Sequence, residues 1–369
     1  MRTPAFEHAL VIGKFLPPHL GHDYLIRTAL RHSRRVTVAV LASSREGIPM
    51  QARVRWLRDS LGAPPHLRVS AELDDLPNDY EDAALWALHV DIIRRAIARA
   101  DLEHKQASLA VDAVFSSERY GDELARHLAA AHVCLDSARA LYPVSASAIR
   151  ADLASHWHLL PSGVRSGLCA RIVLLGAEST GTTTLGRDLQ LALRGRGGSW
   201  AATHVVPEYG REYSASLVAI ARARGVAAQP GELDWQEADF VEIAREQTRR
   251  EELGARSGGP VLLCDTDAFA TRVWHERYRG QPSAAVGELA ATLPARALYI
   301  LTDPAGVPFE DDGLRDGEAH RSWMHDRFRE LLAAQRAPWM VVRGSPQERC
   351  AESLRAIDSV SAGPLRWRE

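Results

Sequence analysis

A glycine-bounded loop near the middle of the chain constrains the fold more than any other stretch. The apolar run Ile172 to Leu175 leads into Gly176-Ala-Glu-Ser-Thr-Gly181, and a helical pattern follows from Leu185. A strand, a glycine turn and a helix bring backbone N–H groups and a helix N-terminus to one point, where they can hold phosphate. The stretch therefore predicts a parallel α/β domain that binds a nucleotide.

The spacing of this loop matches the Gly-x4-Gly of a P-loop, with one departure. Thr183 occupies the position of the hydroxyl that contacts Mg²⁺, but Thr182 stands where a P-loop carries its lysine. Arginine is abundant in this chain and was not used there either. We expect an ATP site with Mg²⁺ held by Thr183 and a strand-end carboxylate. The predicted ATP contacts are Gly176, Glu178, Ser179, Thr180, Gly181, Thr182, Thr183 and Thr184.

Bulk properties indicate a soluble protein of two domains. The chain has 369 residues, of which 46% are hydrophobic and 25% charged, and domains typically contain about 100–200 residues. A net charge of −2 gives no general attraction to nucleic acid or anionic membrane. The four cysteines lack metal-ligand spacing and no apolar run approaches about 18 residues. We expect a cytoplasmic protein with no nucleic-acid or membrane partner; the sequence leaves open whether it forms a homo-oligomer.

The first half alternates strand and helix patterns. Strands are predicted at Ala9–Ile12, Val36–Leu41, Leu67–Val69, Val111–Phe115 and Val133–Leu135, and helices between them include Ala83–Ala100. This alternation predicts a doubly wound parallel sheet that binds ligands at the carboxyl ends of its strands. A helix over Leu153–Leu160 and a connector over 161–167 would end this domain, giving domains at 1–167 and 168–369.

Two histidines follow the first predicted strand, at the start of a helix. They belong to Gly13-Lys14-Phe15-Leu-Pro-Pro-His19-Leu-Gly21-His22. Imidazoles at a helix N-terminus can donate to phosphate oxygens, and their charge is tunable near pH 7. Isolated histidines near a turn are more often surface residues, but the joint pattern in this context favours a nucleotide site.

This segment resembles the (T/H)xGH signature of the nucleotidyltransferase superfamily. The second signature of that superfamily is similar to Ser145-Ala-Ser147-Ala-Ile-Arg150, with Ser147 in place of the usual threonine. The resemblance implies that these groups clamp ATP while a substrate phosphate attacks the α-phosphorus, with His19 and His22 as catalytic residues. The implied ATP contacts are Gly13, Lys14, Phe15, His19, His22, Ser145, Ser147 and Arg150.

Two further residues of the first half are candidates for ligand contact. Ser116, in Phe115-Ser-Ser-Glu118, follows a strand and resembles the adenosine-contacting segment of that superfamily. An ordinary helix N-cap is an almost equally good account of this segment. Trp86 could stack on a nicotinamide ring of nicotinamide mononucleotide (NMN), although an aromatic residue on a long apolar-faced helix is more often part of a core.

Carboxylates follow two predicted strands of the second half. Asp265 ends the apolar strand Val261–Cys264, the Walker-B arrangement that can hold Mg²⁺. Glu208 and Asp267 are candidates to orient or deprotonate an attacking hydroxyl. The polar segment 310–321 reads either as a solvated loop or as a mobile lid that brings Arg315 and Arg321 over the phosphates. Arg211 could replace the charge of the missing lysine.

The second half resembles the ribosylnicotinamide kinase domain of NadR-type proteins, in which it follows an adenylyltransferase domain. The matching stretches begin at Gly176, Pro207, Cys264 and Phe309. The resemblance implies a bifunctional enzyme of NAD salvage that binds ATP, ribosylnicotinamide, NMN and NAD. Because the first strand begins by residue 9, we expect no helix-turn-helix domain. Two alternatives stay open: a P-loop domain that only senses nucleotides, and an adenylyltransferase for another acceptor, such as a pantetheine or a sugar phosphate.

Overall fold

The computed structural model describes residues 3–77, 79, 82–226, 230–310, 315 and 317–361. Within it the chain divides into two compact units between Gly167 and Leu168. Each unit contains a five-stranded parallel sheet with helices between the strands. The predicted class, two doubly wound α/β domains, is therefore confirmed. Among the described residues, no helix has the length and apolar character needed to cross a membrane.

The first unit alternates strand and helix from its first residues. Its strands are β1 (Phe6–Gly13), β2 (Ser33–Ala42), β3 (Leu67–Leu73), β4 (Ala113–Ser116) and β5 (Ala131–Cys134). Its helices are α1 (Leu20–His32), α2 (Met50–Leu61), α3 (Ala83–Glu103), α4 (Tyr120–Leu128), α5 (Ala146–Ala151) and α6 (Ser162–Leu168).

The first sheet has the order β3-β2-β1-β4-β5, with every pair parallel. Successive side chains of β1 point to opposite faces. Ala9 and Val11 pack with α1 and α2, whereas Leu10 packs with α3 and α4. From β1 the chain runs to β2 and β3 on one side, and then returns to β4 and β5 on the other side. The carboxyl end of β1 is therefore the switch point where a ligand is expected.

The second unit repeats this architecture. Its strands are β6 (Ala170–Leu175), β7 (Val205–Val206), β8 (Val261–Asp265), β9 (Leu298–Thr302) and β10 (Trp339–Val342). Its helices are α7 (Thr182–Arg194), α8 (Tyr209–Ala223), α9 (Glu237–Ser257), α10 (Ala268–Arg279), α11 (Ala284–Ala291), α12 (Arg321–Ala333) and α13 (Pro346–Ser361).

The second sheet has the order β10-β9-β6-β8-β7, again parallel throughout. The glycine-bounded loop leaves the central strand β6, and Asp265 ends the neighbouring strand β8. A separate apolar cluster, which includes Trp235, Phe240 and Ile243, joins α9, α10 and α11 beside the sheet. The sheet thus places the P-loop and Asp265 at one edge, with this helical cluster available as a further wall.

The end of the first unit differs from the sequence prediction. Leu153–Leu160 forms turns with one 3-10 segment instead of a helix, and the predicted connector contains α6. The Ser- and Gly-rich composition suggested a linker. However, a Cβ at Gly163 would meet the Asp59 carboxylate, and one at Gly167 would collide with the Trp56 ring. These glycines allow close packing against α2, which composition does not reveal.

Candidate functional site

The glycine-bounded loop adopts the strand, turn and helix geometry that its sequence predicts. Gly181 has a φ of +87° directly before α7, a conformation that side chains disfavour. A Cβ at Gly176 would collide with the hydroxyls of Thr180 and Thr302. Both glycines are therefore required by the backbone, which leads into the N-terminus of a 13-residue helix suited to anions.

The carbonyl groups of this loop are held by side chains outside the cleft. Arg349 Nη1 donates to Thr180 O at 2.7 Å, and Arg321 Nη2 donates to Ser179 O at 3.1 Å. Thr180 is 1% exposed, and its hydroxyl donates to Ala177 O at 2.8 Å. Thr180 and Arg321 thus support the loop, and neither belongs to the wall of the cleft described below.

A hydroxyl and a carboxylate meet where the metal site is predicted. Thr183 Oγ1 donates to Asp265 Oδ2 at 2.7 Å, and Thr182 also hydrogen bonds to Asp265. Burial raises the pKa of Asp265, against these hydroxyls and the charge of Arg211. An adjacent divalent cation would favour the ionised carboxylate, so these oxygen donors fit Mg²⁺. Among the described residues, no group of three or more His, Cys, Asp or Glu side chains is arranged to hold a metal ion, so further ligands would come from a nucleotide or water.

An open cleft extends from this point. Its wall brings together nine predicted residues, some of them through backbone atoms. They are Gly176, Glu178, Ser179, Thr182, Thr183, Glu208 and Asp265, together with Arg211 and Arg315. Thr184 is exposed on α7 and lies outside this wall. Five of the predicted P-loop residues, both predicted metal ligands and the base candidate Glu208 therefore share one cleft.

Glu208 lies at the N-terminus of α8 and is partly buried in the cleft wall. Burial, with the charges of Asp265 and Glu178, raises the pKa of Glu208 to about 8, although Arg211 and Arg315 oppose this. A carboxyl group that titrates close to neutral pH is suited to proton transfer. Glu208 is therefore the stronger of the two base candidates.

Asp267, by contrast, lies in a buried network of hydrogen bonds. It is fully buried, and its carboxylate accepts hydrogen bonds from Arg296 Nε and from the Tyr299 hydroxyl, both at 3.1 Å. It also caps α10 by accepting from Ala270 N. Because these bonds hold the carboxylate inside the protein and Asp267 is not part of the cleft wall, the structure does not support its predicted catalytic role.

Aromatic side chains form another part of the cleft wall. The ring of Trp235 lies 5.2 Å from Phe240 and 5.1 Å from Tyr278, and Trp274 lies 6.5 Å from Tyr278. All four rings line the cleft. Such a wall can hold a flat ring by stacking or edge contacts. The sequence analysis missed these residues, and only the unusual density of aromatics between 235 and 278 could have indicated them.

The predicted lid is described only in part, because residues 311–314 and 316 lie outside the described ranges. Arg315 lines the cleft and donates from Nη1 to Glu310 O at 3.0 Å. Glu310 N in turn donates to Ser179 Oγ at 3.1 Å. A Cβ at Gly317 would meet Glu178, which lies 3.3 Å from Arg277. Both described ends of the segment therefore contact the P-loop.

The paired histidines of the first unit lie at the N-terminus of α1. Their rings stack with centroids 3.7 Å apart, and His19 N donates to His22 Nδ1 at 3.3 Å. Burial lowers the pKa of His19 to about 4 and that of His22 well below its usual value. Both rings therefore favour the neutral form near pH 7, which argues against the expectation that their charge is tunable there. Each can still donate one N–H to a phosphate oxygen.

The two signatures of the first unit meet in space. Arg150 Nη1 donates to Leu16 O at 2.6 Å, which joins α5 to the loop after β1, and Arg150 Nη2 donates to Ser147 Oγ at 3.1 Å. Ser145 caps α5 by accepting from Ala148 N. Ser145 therefore positions the helix, whereas Arg150 connects two motifs that lie about 125 residues apart in the sequence.

The remaining residues of the first signature have mixed environments. Lys14 is exposed and pairs with Glu46 at 3.0 Å. Phe15 is 1% exposed in the core with a φ of +48°, and its ring lies against Gly13. The Phe15 side chain is therefore part of the core, so the predicted contact of Phe15 with ATP could involve only its backbone.

Two other residues predicted to contact a ligand in the first unit already use their side chains within the protein. The buried Ser116 hydroxyl donates to Glu118 O and lies 2.8 Å from His132 Nε2. Trp86 is 6% exposed in the core cluster beneath α3, and its ring stacks on His127. The structure therefore does not support stacking of Trp86 on nicotinamide and gives it the core role that was the alternative.

Fold and site together define the second unit as a P-loop nucleotide-binding domain. In agreement, a family model described as "AAA domain" matches residues 171–349. Together these features indicate an enzyme of nucleotide metabolism.

Two curated proteins are similar to nearly the whole chain. Both are named "Trifunctional NAD biosynthesis/regulator protein NadR". The one from Escherichia coli (strain K12) is 23% identical over 94% of this chain and 82% of its own length. The one from Salmonella typhimurium (strain LT2) is 22% identical with the same coverage.

Solved structures give the same result. A NadR protein in complex with NR superimposes with a TM-score of 0.66, and one in complex with NAD and AMP-PNP with 0.65. In each case the identity is 19% and both chains are fully covered. The resemblance predicted from the sequence is confirmed: the chain is NadR-like in sequence and fold, which supports nucleotide binding in NAD biosynthesis.

Proposed function

We propose that the second unit phosphorylates ribosylnicotinamide on its 5′-hydroxyl with ATP and Mg²⁺. The observation that carries this proposal is the single cleft shared by the P-loop, Asp265, Glu208 and an aromatic wall. The P-loop fits the triphosphate, the aromatic wall fits the pyridinium ring, and Glu208 fits the attacking hydroxyl. Catalysis would consist of positioning and charge stabilisation.

Within this proposal each part of the site has a chemical task. Thr183 and Asp265 would hold the metal ion, which when bound neutralises charge on the phosphates. Glu208 would accept the proton of the 5′-hydroxyl. Arg211 and Arg315, which line the cleft, would supply the positive charge that Thr182 does not.

We further propose that the first unit joins NMN to the AMP part of a second ATP, giving NAD and pyrophosphate. The contact between Arg150 and the loop that carries His19 supports this proposal, because it brings both signature motifs to the switch point of the sheet. Neutral imidazoles would donate hydrogen bonds to phosphate oxygens and form no covalent intermediate.

Thr182 favours the alternative in which the second unit only senses nucleotides. Its hydroxyl bonds to Asp265 and carries no charge toward the phosphates. The two functions differ in turnover: a kinase forms ADP from ATP and ribosylnicotinamide, whereas a sensor binds ATP without doing so.

The test measures ADP formation by the full chain, with Gly181→Asp as the control. We expect this variant to lose ADP formation and keep NAD formation from NMN and ATP. Wild-type ADP formation no faster than the Gly181→Asp rate would refute the kinase proposal and leave the sensor.

For the first unit, His22→Ala should lower NAD formation at least a hundredfold while ADP formation persists. Unchanged NAD formation would remove His22 from the mechanism.

A further inference from the structure

The first backbone N–H of α8 is satisfied by a residue from another helix. The N-cap residue Glu208 makes no side-chain capping bond within the described structure. Instead, Gln247 Oε1 on α9 accepts the hydrogen bond from Tyr209 N at 3.0 Å. Since the first N–H groups of a helix lack partners inside it, Gln247 satisfies one of them from a neighbouring helix.

Burying the Gln247 side chain at this position costs free energy. It is 1% exposed and lines the cleft, and its Nε2 has no hydrogen-bond partner in the described ranges. Leaving a buried amide donor unsatisfied costs roughly 1–3 kcal/mol. An apolar side chain would avoid that cost, so the bond to Tyr209 N indicates a local requirement for the acceptor oxygen.

The geometry around Glu208 shows what this acceptor achieves. A Cβ added to Gly210 would lie 3.5 Å from Glu208 Oε1 and 3.6 Å from Ile243 on α9, so the carboxylate lies close to the α9 surface. The bond from Tyr209 N to Gln247 fixes the peptide group that directly follows Glu208. Loss of this bond would free that peptide group, and with it the direction in which the Glu208 side chain enters the cleft.

We propose that Gln247 is a positioning residue for Glu208: by holding Tyr209 N it fixes the backbone that directs the carboxylate toward the phosphoryl acceptor. This inference rests on the proposed kinase function of the cleft.

The test is a double-mutant cycle in the full chain, with ADP formation from ATP and ribosylnicotinamide measured in single turnover. Gln247→Leu should lower the rate about tenfold or more with the KM for ATP unchanged. In a Glu208→Gln background the same substitution should lower the rate less than twofold, because coupled residues are not additive. An equal loss in both backgrounds would overturn the inference, since it would show a general structural effect.

Two further variants separate the hydrogen bond from packing. Gln247→Glu keeps the length and an acceptor oxygen, and burial favours its neutral form, so it should retain at least a third of the wild-type rate. A rate as low as that of Gln247→Leu would contradict the proposal. Gln335→Leu is the matched control, because Gln335 accepts from a backbone N–H (Ala337) outside the cleft, and it should leave the rate unchanged.

A crystal structure of Gln247→Leu separates failure of this inference from failure of the proposed function. Even if wild type forms no ADP, the Tyr209 peptide group and the Glu208 carboxylate should each move by about 1 Å or more from their wild-type positions. An unmoved carboxylate would overturn the inference, whereas absent ADP formation would refute only the kinase.

Discussion

Replacing Glu208 with glutamine should stabilise the second unit, and increasingly so as the pH rises. The raised pKa of about 8 means that the folded state favours the protonated carboxyl. Below pH 4.5 the carboxyl is protonated in the folded and the unfolded chain, so it imposes no penalty. Between pH 4.5 and 8 the unfolded chain ionises first, and stability is progressively lost. Glutamine cannot ionise and escapes this loss.

The size of the gain follows from the shift. One pKa unit corresponds to about 1.4 kcal/mol, so raising the pKa from 4.5 to about 8 costs at most about 5 kcal/mol above pH 8. The same relation gives at most about 3 kcal/mol at pH 7 and about 1 kcal/mol at pH 5. Because Glu208 is only partly buried, solvent screening places the measured gain below these limits.

Hydrogen exchange with mass spectrometry can measure this gain without nucleotide or metal. The opening free energies of β6 and β8 at pH 5, 7 and 9, corrected for intrinsic exchange, report on the second unit. Glu212→Gln is the matched control on the same helix: hydrogen bonds from Arg250 lower the pKa of Glu212, so its replacement should give no gain at any of these pH values. A Glu208→Gln gain that is equal at pH 5 and pH 9 would refute the reasoning.

Two other substitutions test the supports of the site. Arg349→Met removes the donor to Thr180 O and should raise the KM for ATP about tenfold through a looser P-loop; an unchanged KM would show that the loop keeps its shape without Arg349. Asp267→Asn weakens the buried pair with Arg296 and should lower the unfolding free energy by about 3–5 kcal/mol with the rate per folded molecule retained. Thermal unfolding and active-site titration check the second prediction, and a lost rate in fully folded protein would restore a catalytic role for Asp267.

Hydrophobic pattern and motif spacing were sufficient to predict both sheets and the phosphate-binding side of the cleft. Strand ends in parallel sheets meet at one edge, so Gly176, Asp265 and Glu208 could be grouped before their distances were known. Glu208 and Asp267 could not be ranked in this way. Both follow a strand, and only the bonds from Arg296 and Tyr299 show that Asp267 is held inside the protein.

Residues that act through long-range packing were beyond the reach of the sequence. Gln247 lies in a polar stretch of α9, and its role depends on a bond to a residue 38 positions away. Trp86 and Ser116 were plausible ligand contacts because residue type does not reveal what already fills the space around a side chain. His127 and His132 occupy that space.

The missing lysine is the point at which the structure changes the interpretation most. Thr182 leaves no charge at the usual P-loop position, which from the sequence alone could indicate a degenerate site. The structure shows Arg349 and Arg321 bonded to consecutive carbonyl groups of the loop, and Arg211 and Arg315 in the cleft wall. Guanidinium groups that bind the outward carbonyls fix the peptide planes, so the opposite N–H groups keep their orientation. Selection for nucleotide binding accounts for this arrangement more directly than decay does, because decay would not preserve the loop's supports together with Thr183, Asp265 and Glu208.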